Sequence, residues 1–248
     1  MSALILKIIA CLCMLLDHIG YLYDVTILRI IGRLSFPIYL FLIYNGFQHT
    51  SNPLRYAIRL GIFAVISQIP FSLCFYNTVW CSTGNVMFTL LAALLCLWLA
   101  TWMRQFHWLK EAGCLIPFIL MFLVFKKHII WTEYADKAML MMMVLFLCGK
   151  GTGIHKVLTG VGLAVAMNYS HLLAIGKNLL CANGQILPDL SRWELIQLAA
   201  VCAIPLILLY NGEKGTFAGG KVAVKVQQYG FYLFYPLHIL ILWLINML

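Results

Sequence analysis

The 248-residue chain is 63% hydrophobic and only 10% charged, with a formal net charge of +9 and a mean hydropathy of +0.94. A soluble domain carries about 25% charged residues, so a water-soluble fold is excluded. Repeated apolar runs of about 18 or more residues read instead as an all-α, polytopic transmembrane helical bundle, and the surplus of cations suits an anionic inner leaflet rather than nucleic acid, for which there is no motif.

Nine spans are expected, at 4–23, 27–47, 57–75, 86–103, 113–130, 138–149, 154–174, 193–210 and 228–247. The sixth is short. The Asp-His pair inside the first span, with no small-residue cleavage site after it, argues against a signal peptide. Nine spans put the termini on opposite sides. The amino-terminal side then holds ten Lys and Arg residues and the other side five. By the positive-inside rule the amino terminus is cytoplasmic. One integral membrane domain, 1–248, is expected.

The first two spans carry the unusual charges, within "CMLLDHIGYLYDVTILRIIGRLSFP". Intramembrane charges cost about 2.5–3.5 kcal/mol each on insertion scales, so they should pair. Asp17 and Arg33 lie at equal distance from the turn near Val25, which predicts an ion pair locking the two helices. Arg29, closer to the turn, is expected to snorkel to the interface. His18 points about 100° away from Asp17 and shares a face with Lys7, Cys11 and Met14. Such a residue either makes an interhelical hydrogen bond or serves as a general base. Pro37, one turn beyond Arg33, should bend the second span.

Further along, Arg55 and Arg59 fall on the cytoplasmic side, as do the glycine-rich basic loops "CGKGTGIHK" and "YNGEKGTFAGGK". Neither loop matches the phosphate-loop pattern. They are either tight turns or, through exposed amides beside Lys150, Lys156, Lys214 and Lys221, a place for cofactor phosphate. Nine cysteines show no metal spacing; Cys81 and Cys181 both fall in loops expected outside, where a disulfide is conceivable. In the last span Gln228, Phe231, Tyr235 and His238 share a stripe beside Pro236. That stripe is either an aromatic packing face or a second wall of the cavity containing His18.

"LKIIACLCMLLDHIG", "LRIIGRLSFPIYLFLIYNGFQHT", "NVMFTLL", "LYNGEKG" and "FYLFYPLHILIL", between residues 6 and 242, resemble the signatures of TraX-type membrane proteins. That resemblance implies a relation to multi-span acyltransferases of the bacterial inner membrane. It implies acetyl-CoA as donor and a pilin-like peptide or an envelope glycan as acceptor, with no metal. By it, His18 is the catalytic histidine, Arg33 a site arginine, and His238 the terminal-span histidine. Asn211 and Lys214 belong to the NG-loop. The chemistry reads as direct transfer without an acyl-enzyme: His18 as base, Asp17 holding Arg33, and Arg33 or Tyr235 on the oxyanion. Arg55, Arg59, Lys150, Lys156, Asn211 and Lys214 would hold the donor.

Two other functions fit the same residues. Proton-coupled transporters also place His, Asp and Arg in the membrane, although no inverted repeat is visible here. A non-catalytic assembly factor of a conjugation or secretion apparatus would need the Asp17–Arg33 clamp but not His18.

Overall fold

The regular elements are helices among the described residues, which are 1–106, 113–149, 153–180, 192–217 and 220–247 of the computed structural model. They run α1 (Ala3–Leu22), α2 (Thr26–Gly32), α3 (Ser35–His49), α4 (Pro53–Tyr76), α5 (Val86–Met103) and α6 (Ile116–Lys126). The chain continues through α7 (Ala135–Cys148), α8 (Ile154–Leu180), α9 (Arg192–Leu198), a 3-10 turn at Ala199–Cys202, α10 (Ala203–Leu208) and α11 (Lys221–Met247).

Among the described residues, six segments are long and apolar enough to cross a membrane: Ala3–Leu22, Thr26–His49, Pro53–Tyr76, Val86–Met103, Ile154–Lys177 and Val222–Met247. The three other expected spans fall on α6, α7 and the broken α9–α10 segment. With 11 and 14 residues, α6 and α7 reach only about 17 and 21 Å at 1.5 Å per residue, against a hydrocarbon core of about 30 Å. The polytopic helical bundle is thus observed, with fewer full-length spans than the hydropathy pattern implies.

Prolines explain where two spans break. The second divides at Arg33–Leu34, four and three residues before Pro37. Its ring clashes with the Arg33 carbonyl and its nitrogen cannot complete the helical bond. The eighth tightens into the 3-10 turn just ahead of Pro205. In α8 the interruption is at Asn168 (φ −117°, ψ 16°), which redirects the helix before Ser170 and His171.

Leu6, Ile38, Leu40, Leu60, Leu94, Leu97, Met139, Met142 and Leu145 fill the middle of the bundle, each almost wholly buried. Leu12, Ile62, Leu99, Leu120 and Val161 stay exposed on its outside, as a lipid-facing surface requires. Glycines bring α1 and α2 together: a Cβ on Gly32 would stand 2.3 Å from Asp17 Cβ, and one on Gly20 would stand 2.8 Å from Leu28 Cβ.

The bundle has two distinct ends. At one, the start of the chain is bonded to the NG-loop, with Ala3 N donating to Glu213 O (2.8 Å), Leu4 N to Lys214 O (3.0 Å) and Asn211 N to Met1 O (3.0 Å). At the other, Arg192 reaches Asp24 (3.3 Å). There too, Gln68 and Asn85 pin the 77–85 connection: Gln68 donates to Thr83 O (2.8 Å), and Asn85 donates to Ala64 O (2.8 Å) while capping α5. Cys81 belongs to this network as a free thiol bonded to Thr83 O; Cys181 lies outside the described residues. This second, distal end carries Asp17, Arg29 and Arg33, the charges of the first two spans.

Candidate functional site

Asp17 is held by two guanidiniums. Arg33 Nη2 donates to both carboxylate oxygens (2.9 and 3.2 Å), and Arg29 Nη1 donates to Oδ2 (2.9 Å). All three side chains are close to nine-tenths buried. The Asp17–Arg33 ion pair is therefore present. Arg29, in contrast, does not snorkel. One turn of α2 separates it from Arg33, so both reach the same carboxylate, and its guanidinium also lies over the Tyr21 ring at 5.1 Å.

His18 meets the last helix. Its Nδ1 lies 2.8 Å from His238 Nε2, with the two rings coplanar within 1°. His238 Nδ1 lies 2.7 Å from the Phe234 carbonyl one turn back. A carbonyl only accepts, so His238 Nδ1 carries the proton and Nε2 offers a lone pair. His18 Nδ1–H must then be the donor between the rings. The chain of bonds fixes both tautomers and leaves His18 Nε2 as the lone pair available to the cavity that His18 lines. Phe75 packs edge-on against His18 (5.1 Å) and Phe234 stacks on His238 (4.7 Å), which hold the rings in plane.

The connection before α7 supplies two residues absent from the sequence-based site, Glu133 and Tyr134. Gly84 N donates to Trp131 O (2.7 Å), Glu133 N to Gly84 O (3.3 Å) and Thr89 Oγ1 to Glu133 O (2.6 Å), fixing this strip against the start of α5. Tyr134 has φ 58°, a left-handed conformation that non-glycine residues seldom adopt. It stacks on Phe36 at 4.4 Å, and its hydroxyl accepts from Arg33 Nη1. Glu133 lies outside the helices. Burial raises its carboxyl to about 7, Asp17 adding to the shift while Arg33 and Arg29 oppose it. The Tyr134 hydroxyl is pushed up by burial to about 12 and stays protonated at neutral pH.

Two cavities adjoin here. The inner, about 280 Å³, is lined by Asp17, His18, Phe75, Glu133 and Tyr134; the outer, about 450 Å³, by Lys137, Ser170, His171 and Gln197; and Tyr21, Arg29 and Arg33 line both. Tyr235 is buried against His238, ring centroids 5.8 Å apart, and does not line either cavity. The sequence thus brings Asp17, His18, Arg33 and His238 to one place with Tyr235 behind them. Glu133 and Tyr134 left only a faint signal: an acid and a tyrosine next to an expected outer helix start.

The residues expected to hold a donor lie elsewhere. Asn211 and Lys214 sit at the opposite end, beside residues 1–4. Fourteen residues of α1 separate Leu4 from His18, about 21 Å of helical rise. Arg55 is exposed in the first turn of α4 at that end, with Arg59 one turn on, and Lys156 is exposed near the start of α8. Lys150 lies outside the described residues.

The TraX protein family matches residues 2–246. The chain is 30% identical over 263 aligned residues to the probable fimbrial assembly protein FimC, serogroup H1, of Dichelobacter nodosus, covering 97% of this chain and 94% of that one. An uncharacterized protein of Rickettsia prowazekii (strain Madrid E) is 40% identical over 88 residues, covering 35% of this chain and 32% of its own. No solved structure matches.

Proposed function

This chain belongs to the TraX family, and from that premise we propose that it is an acyltransferase of the bacterial inner membrane. It would move an acetyl group from acetyl-CoA to the amine of a pilin-type peptide during pilus or fimbria assembly. The observation that carries this reading is the tautomer-fixed His18–His238 pair, which presents a basic nitrogen to a cavity beside a buried guanidinium.

The acceptor's neutral amine attacks the thioester carbonyl while His18 Nε2 removes its proton. His238 accepts the hydrogen bond from Nδ1 throughout and steadies the imidazolium. The oxyanion of the tetrahedral intermediate finds the Tyr134 hydroxyl, whose oxygen already accepts from Arg33 and whose proton remains to be given. Tyr134 therefore takes the part expected of Tyr235, with Arg33 polarising it and Asp17 holding Arg33. Collapse expels the thiolate, which takes the proton back from His18, giving amide and free thiol. No cysteine is assigned as nucleophile: among the described residues none lines either cavity.

The donor's phosphates are assigned to the cations of the amino-terminal end, Arg55, Arg59, Lys156 and Lys214, with Asn211; Lys150, expected beside them from the sequence, lies outside the described residues. The span of about 21 Å to His18 slightly exceeds a pantetheine arm of about 15–20 Å, estimated as for extended chain. The donor must then enter the bundle rather than rest on its face. A second reading, a non-catalytic assembly factor, is favoured by the name of the Dichelobacter relative, a probable fimbrial assembly protein.

The test is acetyl transfer by the purified chain from labelled acetyl-CoA to peptide amines. Transfer lost in His18→Ala, with the protein still folded, supports the enzyme. Transfer at the wild-type rate in that variant overturns the general base. No transfer or donor binding by folded wild type leaves the assembly factor.

A further inference from the structure

His18 removes one proton from the acceptor, but an amine arriving from water has two to lose. A peptide amino terminus titrates near about 8 and is mostly an ammonium ion at neutral pH. It has no lone pair with which to attack a thioester until the first proton has gone.

The inner cavity holds a group that the transfer step leaves unused. Glu133 shares its walls with His18. The strip that carries it is bonded to Gly84 and Thr89, which fixes the carboxyl against the start of α5, where the Val86 N–H favours its charged form. Around it stand Asp17 and His18 on α1, Arg29 and Arg33 on α2, its neighbour Tyr134, and Tyr235 on α11. Asp17 is already engaged, both oxygens accepting from guanidiniums. Tyr134 stays protonated at neutral pH. Arg33 and Arg29 draw Glu133 toward ionisation without forming an ion pair with it, while burial, with Asp17 adding, opposes them and leaves the carboxyl at about 7. Glu133 thus exchanges a proton readily near neutral pH.

We infer that Glu133 receives the acceptor as an ammonium ion and takes its first proton, so that the acceptor class is an amine and not a hydroxyl. The inference rests on the acyltransferase reading and deepens it. One N–H bond of the ammonium breaks and an O–H bond forms on the carboxylate, leaving neutral amine and neutral acid. The amine attacks, His18 Nε2 takes the second proton, and the departing thiolate receives it. Glu133 returns its own proton to water as the amide leaves, one proton released per turnover. A hydroxyl has a single proton to lose, for which His18 suffices; a second base on the same wall is what an ammonium requires. The exchange also conserves charge. The empty site with Glu133 protonated and the filled site with Glu133 ionised beside an ammonium carry the same total, whatever the surrounding groups contribute. The acceptor therefore enters an apolar bundle without adding a charge to it.

The experiment uses the full chain in detergent. Calorimetry compares a short peptide with a free amino terminus and its twin in which hydrogen replaces the amine. At pH 7 the amine peptide should bind about tenfold or more tightly, the size of one charge-assisted contact. That preference should weaken as the pH falls below 7 and Glu133 becomes protonated, and should vanish in Glu133→Gln, with unfolding temperatures showing the variant folded. Transfer from acetyl-CoA is then followed to the amine peptide and to an amino-oxy twin, which is weakly basic and uncharged at neutral pH. Glu133→Gln should lose about tenfold or more in rate with the amine relative to the amino-oxy acceptor. Equal affinity of the wild type for the amine and its twin, undetectable binding included, overturns the inference, as does a preference that survives Glu133→Gln. So does a loss in Glu133→Gln that is the same for both acceptors, which would make Glu133 merely structural. Amine-selective binding that depends on Glu133, without any acetylation, keeps the ammonium site and removes the acyltransferase reading instead.

Discussion

Replacing Arg33 by glutamine tests the charge triad directly. In the wild type, Arg33 makes two bonds to Asp17 and one to Tyr134. Bonds to charged groups contribute about 1.5–3 kcal/mol each, and removing one partner of a buried pair costs about 3–5 kcal/mol. Arg29 remains on Asp17 at 2.9 Å in the variant, so the carboxylate keeps a counterion and the loss should fall near 3 kcal/mol. Asp17→Asn is the harsher change, because it leaves two guanidiniums facing each other without their carboxylate. In that background Arg33→Gln removes repulsion and should cost nothing or restore stability. The assay is a double-mutant cycle on reversible unfolding in detergent, expected to give a coupling energy of about 2 kcal/mol or more. If Arg33→Gln costs the same in both backgrounds, to within the roughly 0.5 kcal/mol of independent sites, Asp17 and Arg33 do not hold each other and the triad reasoning fails.

Removing the imidazole in His18→Ala should lower acetyl transfer by about 10²–10⁴-fold, the range for general bases, with the protein still folded and the unfolding temperature lowered by the lost bond to His238. His238→Ala, which frees the His18 tautomer without deleting the base, should reduce turnover less and shift its pH profile. Glu133, raised to about 7 from an ordinary carboxyl value near 4.5, is favoured neutral in the folded protein, so stability should decline as pH rises from about 4.5 through 7. Glu133→Gln should accordingly unfold at a higher temperature than wild type at pH 8 and at a similar one at pH 4, as a thermal-shift series would show. Gly32→Ala places a carbon 2.3 Å from Asp17 Cβ and should give little folded protein on size-exclusion chromatography. Gly176→Ala and Gly230→Ala, helical positions with nothing within 4 Å, should be neutral or stabilising by up to about 1 kcal/mol.

Hydropathy located the long helices because lipid-facing apolar surface writes itself into composition. It also expected spans at α6, α7 and α9–α10, which among the described residues are as apolar as their neighbours but shorter or, ahead of Pro205, interrupted. The Asp17–Arg33 pair was legible because a hairpin places equidistant residues at equal depth. Arg29 was misread: snorkelling assumes that the interface is the nearest polar partner, whereas Asp17 was closer. The meeting of His18 with His238, 220 residues apart, follows from tertiary packing alone, although both histidines were visible as intramembrane polar residues. Glu133 and Tyr134 were missed because a connecting strip has no periodicity to aim its side chains. Their placement depends on bonds to Gly84 and Thr89 in another part of the chain.

The histidine pair also has a bearing on biogenesis. His18 rides on α1, which precedes every other helix described, and His238 on α11, which follows them. Through most of translation the imidazole of His18 has no fixed tautomer, because the ring that accepts its proton has yet to leave the ribosome. A chain stalled anywhere before α11 can hold the Asp17–Arg29–Arg33 cluster but not an oriented base. Incomplete products in the bilayer would be anchored by that cluster yet lack the His18–His238 pair, which forms only as α11 docks against α1.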